Sequence, residues 1–329
     1  MKIVVWQTAF LGDLILTTPL LASLKKIYPE SSIDVITKPF GTEVLKNNPN
    51  VKNIIVFDKS KNSTFSLIKK LKKEKYNLAV SPHRSHRASY SLFLSKIPER
   101  VGFDKAGFSF LYTKKVRHRF DGTHEIDRNL RLLTVLDGFS EEKLIRYPEI
   151  FLSEEENNFY KKLGLREKDY ILVAPGSKWN TKRWTVEGFS ELINKIGKEE
   201  TVVLFGGKED IEYVSQIEEN LKVKTVNLVG KTSLRESFSV VKNAKALISN
   251  DSAPVHMAVS FNTPVVSIFG PTVKDFGFYP YRNGVVVEVE GLRCRPCGLH
   301  GHKTCPTGTF ECMKGIKTYD VLKALDTLI

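Results

Sequence analysis

Several signatures are missing from this chain of 329 residues, and each absence closes off a class of protein. No stretch approaches the roughly twenty consecutive apolar residues that span a bilayer. The N-terminus, Met1-Lys2-Ile3-Val4-Val5-Trp6, runs straight into a strand-like segment and lacks the apolar core and small-residue cleavage site of a secretory signal. A cytoplasmic protein, at most peripheral at a membrane surface, is therefore expected. No Gly-x-Gly-x-x-Gly follows the first apolar run, which speaks against a nicotinamide enzyme, and no Walker loop occurs. Neither an Asp-x-Asp pair nor His-Glu-x-x-His is present, so a catalytic divalent metal is not suggested. Nucleic-acid-binding motifs are also missing. Cysteine is scarce and confined to the tail, at Cys294, Cys297, Cys305 and Cys312.

What is present is globular in character, with 41% hydrophobic and 26% charged residues. The length suffices for two ordinary α/β domains. Lys and Arg number 50 against 37 Asp and Glu, a net charge of +13. That excess calls for an acidic partner, whether nucleic acid, an anionic membrane surface or a phosphorylated small molecule. Charge alone does not choose among them.

Apolar strand patterns and amphipathic helix patterns alternate along the chain. Residues 3–6, 33–36, 54–57 and 78–80 read as strands, separated by helical stretches that include 42–46 and the basic 65–73. Pro19 predicts a break within the first helical stretch. The pattern loosens around Pro148, where the linker is expected near residues 146–152. A second series follows, with strands at 170–174, 201–205, 225–228, 246–248 and 265–269 and helices at 186–196, 211–220 and 234–243. Two successive βα series predict an α/β protein of two Rossmann-like domains facing across a cleft, residues 1–150 and 151–329.

The candidate chemistry sits where strands end. Asp13 follows the first strand, either as an N-cap or as a carboxylate available as general base. Ser81-Pro82-His83-Arg84-Ser85-His86-Arg87 clusters cations after another strand, an anion site or a solvated loop. The basic helix 65–73 is most simply an exposed face, with a membrane-facing role as the alternative. In the second series, the stretch from Pro175 to Trp184 offers Ser177, Thr181 and Lys182 to phosphate oxygens. Glu209 is a candidate for ribose hydroxyls or an N-terminal helix carboxylate. Ser249-Asn250-Asp251-Ser252 supplies capping side chains ahead of a helix that carries Ala253, Pro254 and His256, an N-terminus suited to a diphosphate. The four cysteines have ligand types suited to structural zinc, although the second pair is spaced more loosely than in a zinc ribbon. Free thiols and disulfides are the alternatives, and none of the three implies catalysis.

Taken together, Leu11-Gly12-Asp13 with Pro19, Pro175-Gly176-Ser177 through Lys182-Arg183-Trp184, Asp251-Ser252-Ala253 with His256, and Phe269-Gly270-Pro271-Thr272 resemble glycosyltransferase family 9, the bacterial lipopolysaccharide heptosyltransferases. The likeness runs in order over essentially the whole chain. The Gly-Ser-x-Trp-x-x-Lys-Arg-Trp form and the cysteine-rich tail are more similar to the enzymes that add the second heptose than to those that add the first.

The resemblance implies a GT-B fold, an N-terminal domain for a lipid A–inner core acceptor and a C-terminal domain for ADP-heptose. It implies metal-independent, inverting transfer at the cytoplasmic face of the inner membrane, with no cofactor needed for catalysis and no nucleic-acid partner. Asp13 becomes the candidate base, and Lys182 with Asp251, Ser252, Ala253 and His256 the candidate holders of the diphosphate and donor sugar. Glu209 matches the ribose-binding carboxylate on a shorter motif. Arg84 and Arg87 are assigned to the anionic acceptor on charge and position. Two other readings compete: a nucleotide-sugar epimerase of the same architecture, and a non-enzymatic protein that binds nucleic acid or other anions.

Overall fold

The apolar runs become two parallel sheets. In the computed structural model, which describes residues 1–329, the chain divides into Met1–Phe151 and Leu152–Ile329. The first unit holds β1 (Lys2–Trp6), β2 (Ser32–Thr37), β3 (Asn53–Val56), β4 (Leu78–Ser81), β5 (Glu99–Phe103) and β6 (Lys114–Val116), in the order β3-β2-β1-β4-β5-β6. Ile3 pairs in register with Ile33 on one side and Leu78 on the other. Ile3, Val4, Val5 and Trp6 are wholly buried because helices cover both faces of such a sheet.

The second unit holds β7 (Tyr170–Ala174), β8 (Thr201–Leu204), β9 (Val226–Asn227), β10 (Ala246–Asn250), β11 (Val265–Phe269) and β12 (Gly284–Glu288), in the order β12-β11-β10-β7-β8-β9. Counted from each unit's own first strand, the two orders are the same. Each sheet reverses direction between its first and fourth strands, β1/β4 and β7/β10. Ligands bind at such a switch point, outside the strands' carboxyl ends. Two Rossmann-like domains in succession make this a GT-B fold.

The expected break at Pro19 separates the helices Leu11–Ile15 and Thr18–Ile27, and Pro19 occupies the first turn of the second, where a missing N–H costs nothing. After β10 the helix Ala253–Ser260 ends at Asn262, whose φ of 54° is left-handed. Strands β5, β6 and β12 are not legible in the sequence. Lys114 and Lys115 sit on an edge strand, a place where charge blocks further pairing. No helix is long and apolar enough to cross a membrane.

Candidate functional site

In the first unit the site forms at the β1/β4 switch. The helix after β1 begins at Leu11 with Phe10 as N-cap, so Asp13 stands within its first turn and is not the N-cap. Its Oδ2 accepts the Phe10 N–H at 3.3 Å. Trp6 Nε1 donates to Thr8 Oγ1 at 3.1 Å, and Thr8 Oγ1 lies 2.9 Å from His83 Nδ1, tying the end of β1 to the loop after β4. Arg84 continues that loop and lies over the Phe120 ring at 5.4 Å, while Arg128 takes the same ring at 5.0 Å. Arg128 is itself buried and bridges Glu125 at 2.8 Å.

These charges bear on Asp13. Burial first, then the Glu125 carboxylate, push its pKa up to about 7, against the opposing pull of the Phe10 N–H and Arg84. Burial and the surrounding cations Lys38, Lys59 and Arg84 hold His83 down at about 4, so it is neutral near pH 7. Arg84 thus joins the Asp13 group. Arg87 stands in the first turn of the helix His86–Leu94 with its Nε buried and unpartnered, and it is not among the charges acting on Asp13. Glu125, Arg128 and Phe120 were not among the sequence candidates. Glu125 acts on Asp13 over a long range in sequence, and Arg128 and Phe120 join through Glu125 and Arg84, none of which has a local signature.

In the second unit the site forms at the β7/β10 switch. Lys182 Nζ bridges Asp251 Oδ2 at 2.5 Å and reaches the Asp251 carbonyl at 3.4 Å. Thr272 Oγ1 donates to the same Oδ2 at 2.6 Å. Burial alone would raise Asp251, but the Lys182 charge and the hydrogen bonds from Lys182 and Thr272 outweigh it, and the carboxyl lies below its ordinary value. Lys182 has three N–H donors, so one remains for a ligand. Asn250 joins the two loops, donating to the Pro175 carbonyl at 2.6 Å and accepting the Trp184 N–H at 3.0 Å.

The helix after β10 begins with Ser252 as N-cap, but the Ser252 side chain makes no capping hydrogen bond. Its hydroxyl turns back to the Asn250 carbonyl at 3.3 Å. The sequence reading of a side-chain cap fails here because that carbonyl competes for the hydroxyl. Pro254 has no N–H and the Val255 N–H donates to the Ser252 carbonyl at 3.1 Å, which leaves the Ala253 N–H for an anion. His256 follows on that helix, 6% exposed, with Nδ1 buried and unpartnered. Burial lowers its pKa to about 4, with Lys182 adding to the effect and Asp251 opposing it. The ring is neutral at pH 7, and an orphaned polar nitrogen at this depth costs free energy until a ligand meets it.

Ser177 is buried and its carbonyl accepts Arg183 Nε at 2.9 Å. Gly176 is required where it is, since a Cβ would fall 2.1 Å from Asp210 Cγ. Asp210 Oδ2 accepts the Gly207 N–H at 3.0 Å, which leaves neighbouring Glu209 exposed and free of the capping role. Thr181 differs from expectation. Its hydroxyl donates to the His302 carbonyl at 3.0 Å and accepts the His302 N–H at 2.8 Å. Thr181 therefore fastens the cysteine-rich tail to the donor loop. Gly301 lies so close that a Cβ would sit 3.0 Å from Thr181 Oγ1. The four cysteines are free thiols, and no group of three or more His, Cys, Asp or Glu side chains is placed to hold a metal ion.

The second unit can therefore hold a diphosphate, and the first offers a carboxylate poised to take a proton. Residues 64–307 match the profile of glycosyltransferase family 9 (heptosyltransferase). The chain is 29% identical over 294 residues to lipopolysaccharide heptosyltransferase 3 of Escherichia coli, covering 84% of this chain and 85% of that one. A family 9 glycosyltransferase from Veillonella parvula superposes with a TM-score of 0.81 at 27% identity, covering 99% of this chain and 96% of the other. E. coli ADP-heptose lps heptosyltransferase II superposes with a TM-score of 0.80 at 23% identity, covering 100% and 98%. On the profile match, which spans most of its length, the chain belongs to glycosyltransferase family 9.

Proposed function

We propose that the protein moves a heptose from ADP-heptose to a hydroxyl of the lipopolysaccharide inner core, with inversion at the anomeric carbon. The observation that carries this is the β7/β10 site. The paired Lys182 and Asp251, the uncapped helix N-terminus at Ala253 and the unpartnered His256 Nδ1 are complementary to a departing diphosphate. Preorganised donors of this kind act on charge as it develops, in a site that excludes water.

Asp13 takes the proton from the acceptor hydroxyl, whose oxygen attacks the anomeric carbon as the bond to the diphosphate oxygen breaks and ADP leaves. A carboxyl near 7 suits a base at neutral pH far better than one at 3.8, because it holds the abstracted proton more firmly. Lys182 offsets the charge of the diphosphate, while the Ala253 N–H and the neutral His256 ring donate hydrogen bonds to it. Asp251 fixes Lys182 and faces donor sugar hydroxyls, with Ser252 beside it. Ser177 shapes the donor loop, Thr181 holds the tail against it, and Glu209 receives the ribose. Arg84, with Arg87 further along the same segment, meets the anionic groups of the acceptor. Met1–Phe151 is thus the acceptor domain and Leu152–Ile329 the donor domain.

Mass spectrometry of a defined core acceptor incubated with ADP-heptose tests the reading. The expected product is heavier by one heptosyl residue, and ADP release requires both substrates. Donor turnover without acceptor would instead mark a nucleotide-sugar epimerase. Salt-sensitive binding to arbitrary DNA with indifference to nucleotide sugars would mark an anion-binding protein.

A further inference from the structure

Apart from Arg87, one helical layer of the first unit takes no part in the proposed chemistry. Crossovers between parallel strands are right-handed, and the strand order reverses at β1, so the connections leading from β3 through to β6 lie together on one face of the sheet. That layer comprises the helix Thr64–Glu74, the helix His86–Leu94 packed against it, and the turn Ser109–Leu111 packed against the latter. Thr64–Glu74 turns only Leu67 and Leu71 fully inward. Lys69, Lys70, Lys72 and Lys73 remain exposed, and the one acid of the helix, Glu74, is engaged by Lys2 at 3.1 Å.

Large apolar side chains stand out of the same layer. Phe65 is 76% exposed and Phe110 73%, with Phe93, Leu94 and Phe108 about half exposed. Phe108 lies edge-on to Phe110 and to His86, each at 6.0 Å, and Arg100 covers Phe93 at 5.5 Å. Apolar residues scattered singly over a surface need no explanation, whereas several exposed phenylalanines on the same layer as a helix of unneutralised lysines do. A partner that fits must offer both apolar depth and negative charge. A second copy docked about a twofold axis would set these lysines against their own counterparts. A bilayer with anionic headgroups satisfies both demands, since apolar insertion and electrostatic attraction add.

We propose that this layer docks the protein on an anionic lipid surface, with Phe65, Phe108 and Phe110 entering the headgroup region and Lys69 to Lys73 meeting the anionic headgroups. The inference rests on the heptosyl-transfer reading only for the reason to be there, a lipid-borne acceptor. Docking itself is measured without substrate.

Flotation of the full chain with vesicles of phosphatidylethanolamine and phosphatidylglycerol, compared with phosphatidylcholine alone, reads the partition. The expected result is binding to the anionic vesicles that weakens with salt. The partition should fall by about tenfold or more in Phe65→Ser/Phe110→Ser, and likewise when Lys69, Lys70, Lys72 and Lys73 are all changed to Gln. Both variants should melt like the parent and release ADP normally with a deacylated, water-soluble acceptor. A parent chain that does not float with anionic vesicles overturns the proposal, as do variants that float like the parent. Self-association that the variants abolish, without vesicle binding, assigns the face to a second copy and also overturns it. Flotation lost in the variants while no form transfers heptose leaves the docking surface standing and removes the heptosyl reading.

Discussion

The two units use one strand order to opposite electrostatic ends. In each, the loops after the first and fourth strands carry the charges: Asp13 and Arg84 in the first unit, Lys182 and Asp251 in the second. The signs are exchanged between the positions. In the second unit acid and base meet at 2.5 Å, and the carboxyl is held below its ordinary value. In the first, Arg84 and Arg128 both pack on Phe120, Arg128 is committed to Glu125, and Asp13 is left with a pKa of about 7. The difference teaches how one scaffold separates a carboxylate that must move a proton from one that must stay charged. Burial raises both, and a bonded lysine decides which of them falls.

Breaking the first half of that contrast should have the largest effect. Asp13→Ala removes a carboxyl held up at about 7, and kcat/KM for ADP release should fall by about 10²–10⁴-fold. The affinity for ADP-heptose, measured by calorimetry, should not change. Full activity in this variant would remove Asp13 as the base. Lys182→Ala breaks the second half, lowering kcat by roughly 10²–10³-fold through loss of charge on the leaving group. It also strands a buried carboxylate, at a cost of about 3–5 kcal/mol. Thermal melting distinguishes the two losses: Lys182→Ala/Asp251→Asn should regain part of the stability and none of the activity. A double variant no more stable than Lys182→Ala would argue against the pair as described. His256→Ala should be milder, raising KM for ADP-heptose about tenfold, with a fall in melting temperature smaller than that of Lys182→Ala, because it loses ring packing against Phe278 but strands no charge.

The sequence carried the switch-point residues because Gly, Ser, Asp and Lys at a strand's end are local signals. Asp13, Lys182, Asp251 and His256 were all legible that way, as was the two-domain alternation. What surrounds them was not. Thr272 reaches Asp251 from the end of β11, and Glu125 reaches Asp13 from a helix more than a hundred residues away. Thr272 stands in the Phe269-Gly270-Pro271-Thr272 motif, but its bond to Asp251, like the approach of Glu125 to Asp13, depends on how loops from different strands converge. Thr181 was legible as a hydroxyl in a donor loop, but its engagement by His302 depends on where the tail packs. Strand β6 was obscured by Lys114 and Lys115, whose charges break the apolar pattern of a strand and are tolerated only at the edge of the sheet.

The smallest effect is also the sharpest test of the contrast, because its sign is fixed in advance. Asp13 acts as a base only when deprotonated, so activity should rise with pH through about 7. The Glu125 carboxylate is the largest contribution after burial that raises Asp13, and Arg84 lowers it. Glu125→Gln keeps an acceptor for Arg128 while removing the negative charge. The ascending limb of kcat/KM should then move to lower pH, leaving this variant relatively faster than the parent under mildly acidic conditions. Arg84→Gln removes a positive charge and should move the limb to higher pH. Profiles that both shift in one direction, or that coincide with the parent, would mean that the limb reports some group other than Asp13. Opposite shifts would tie the proton to the β1/β4 switch, because no change at the β7/β10 site reverses sign with these two substitutions.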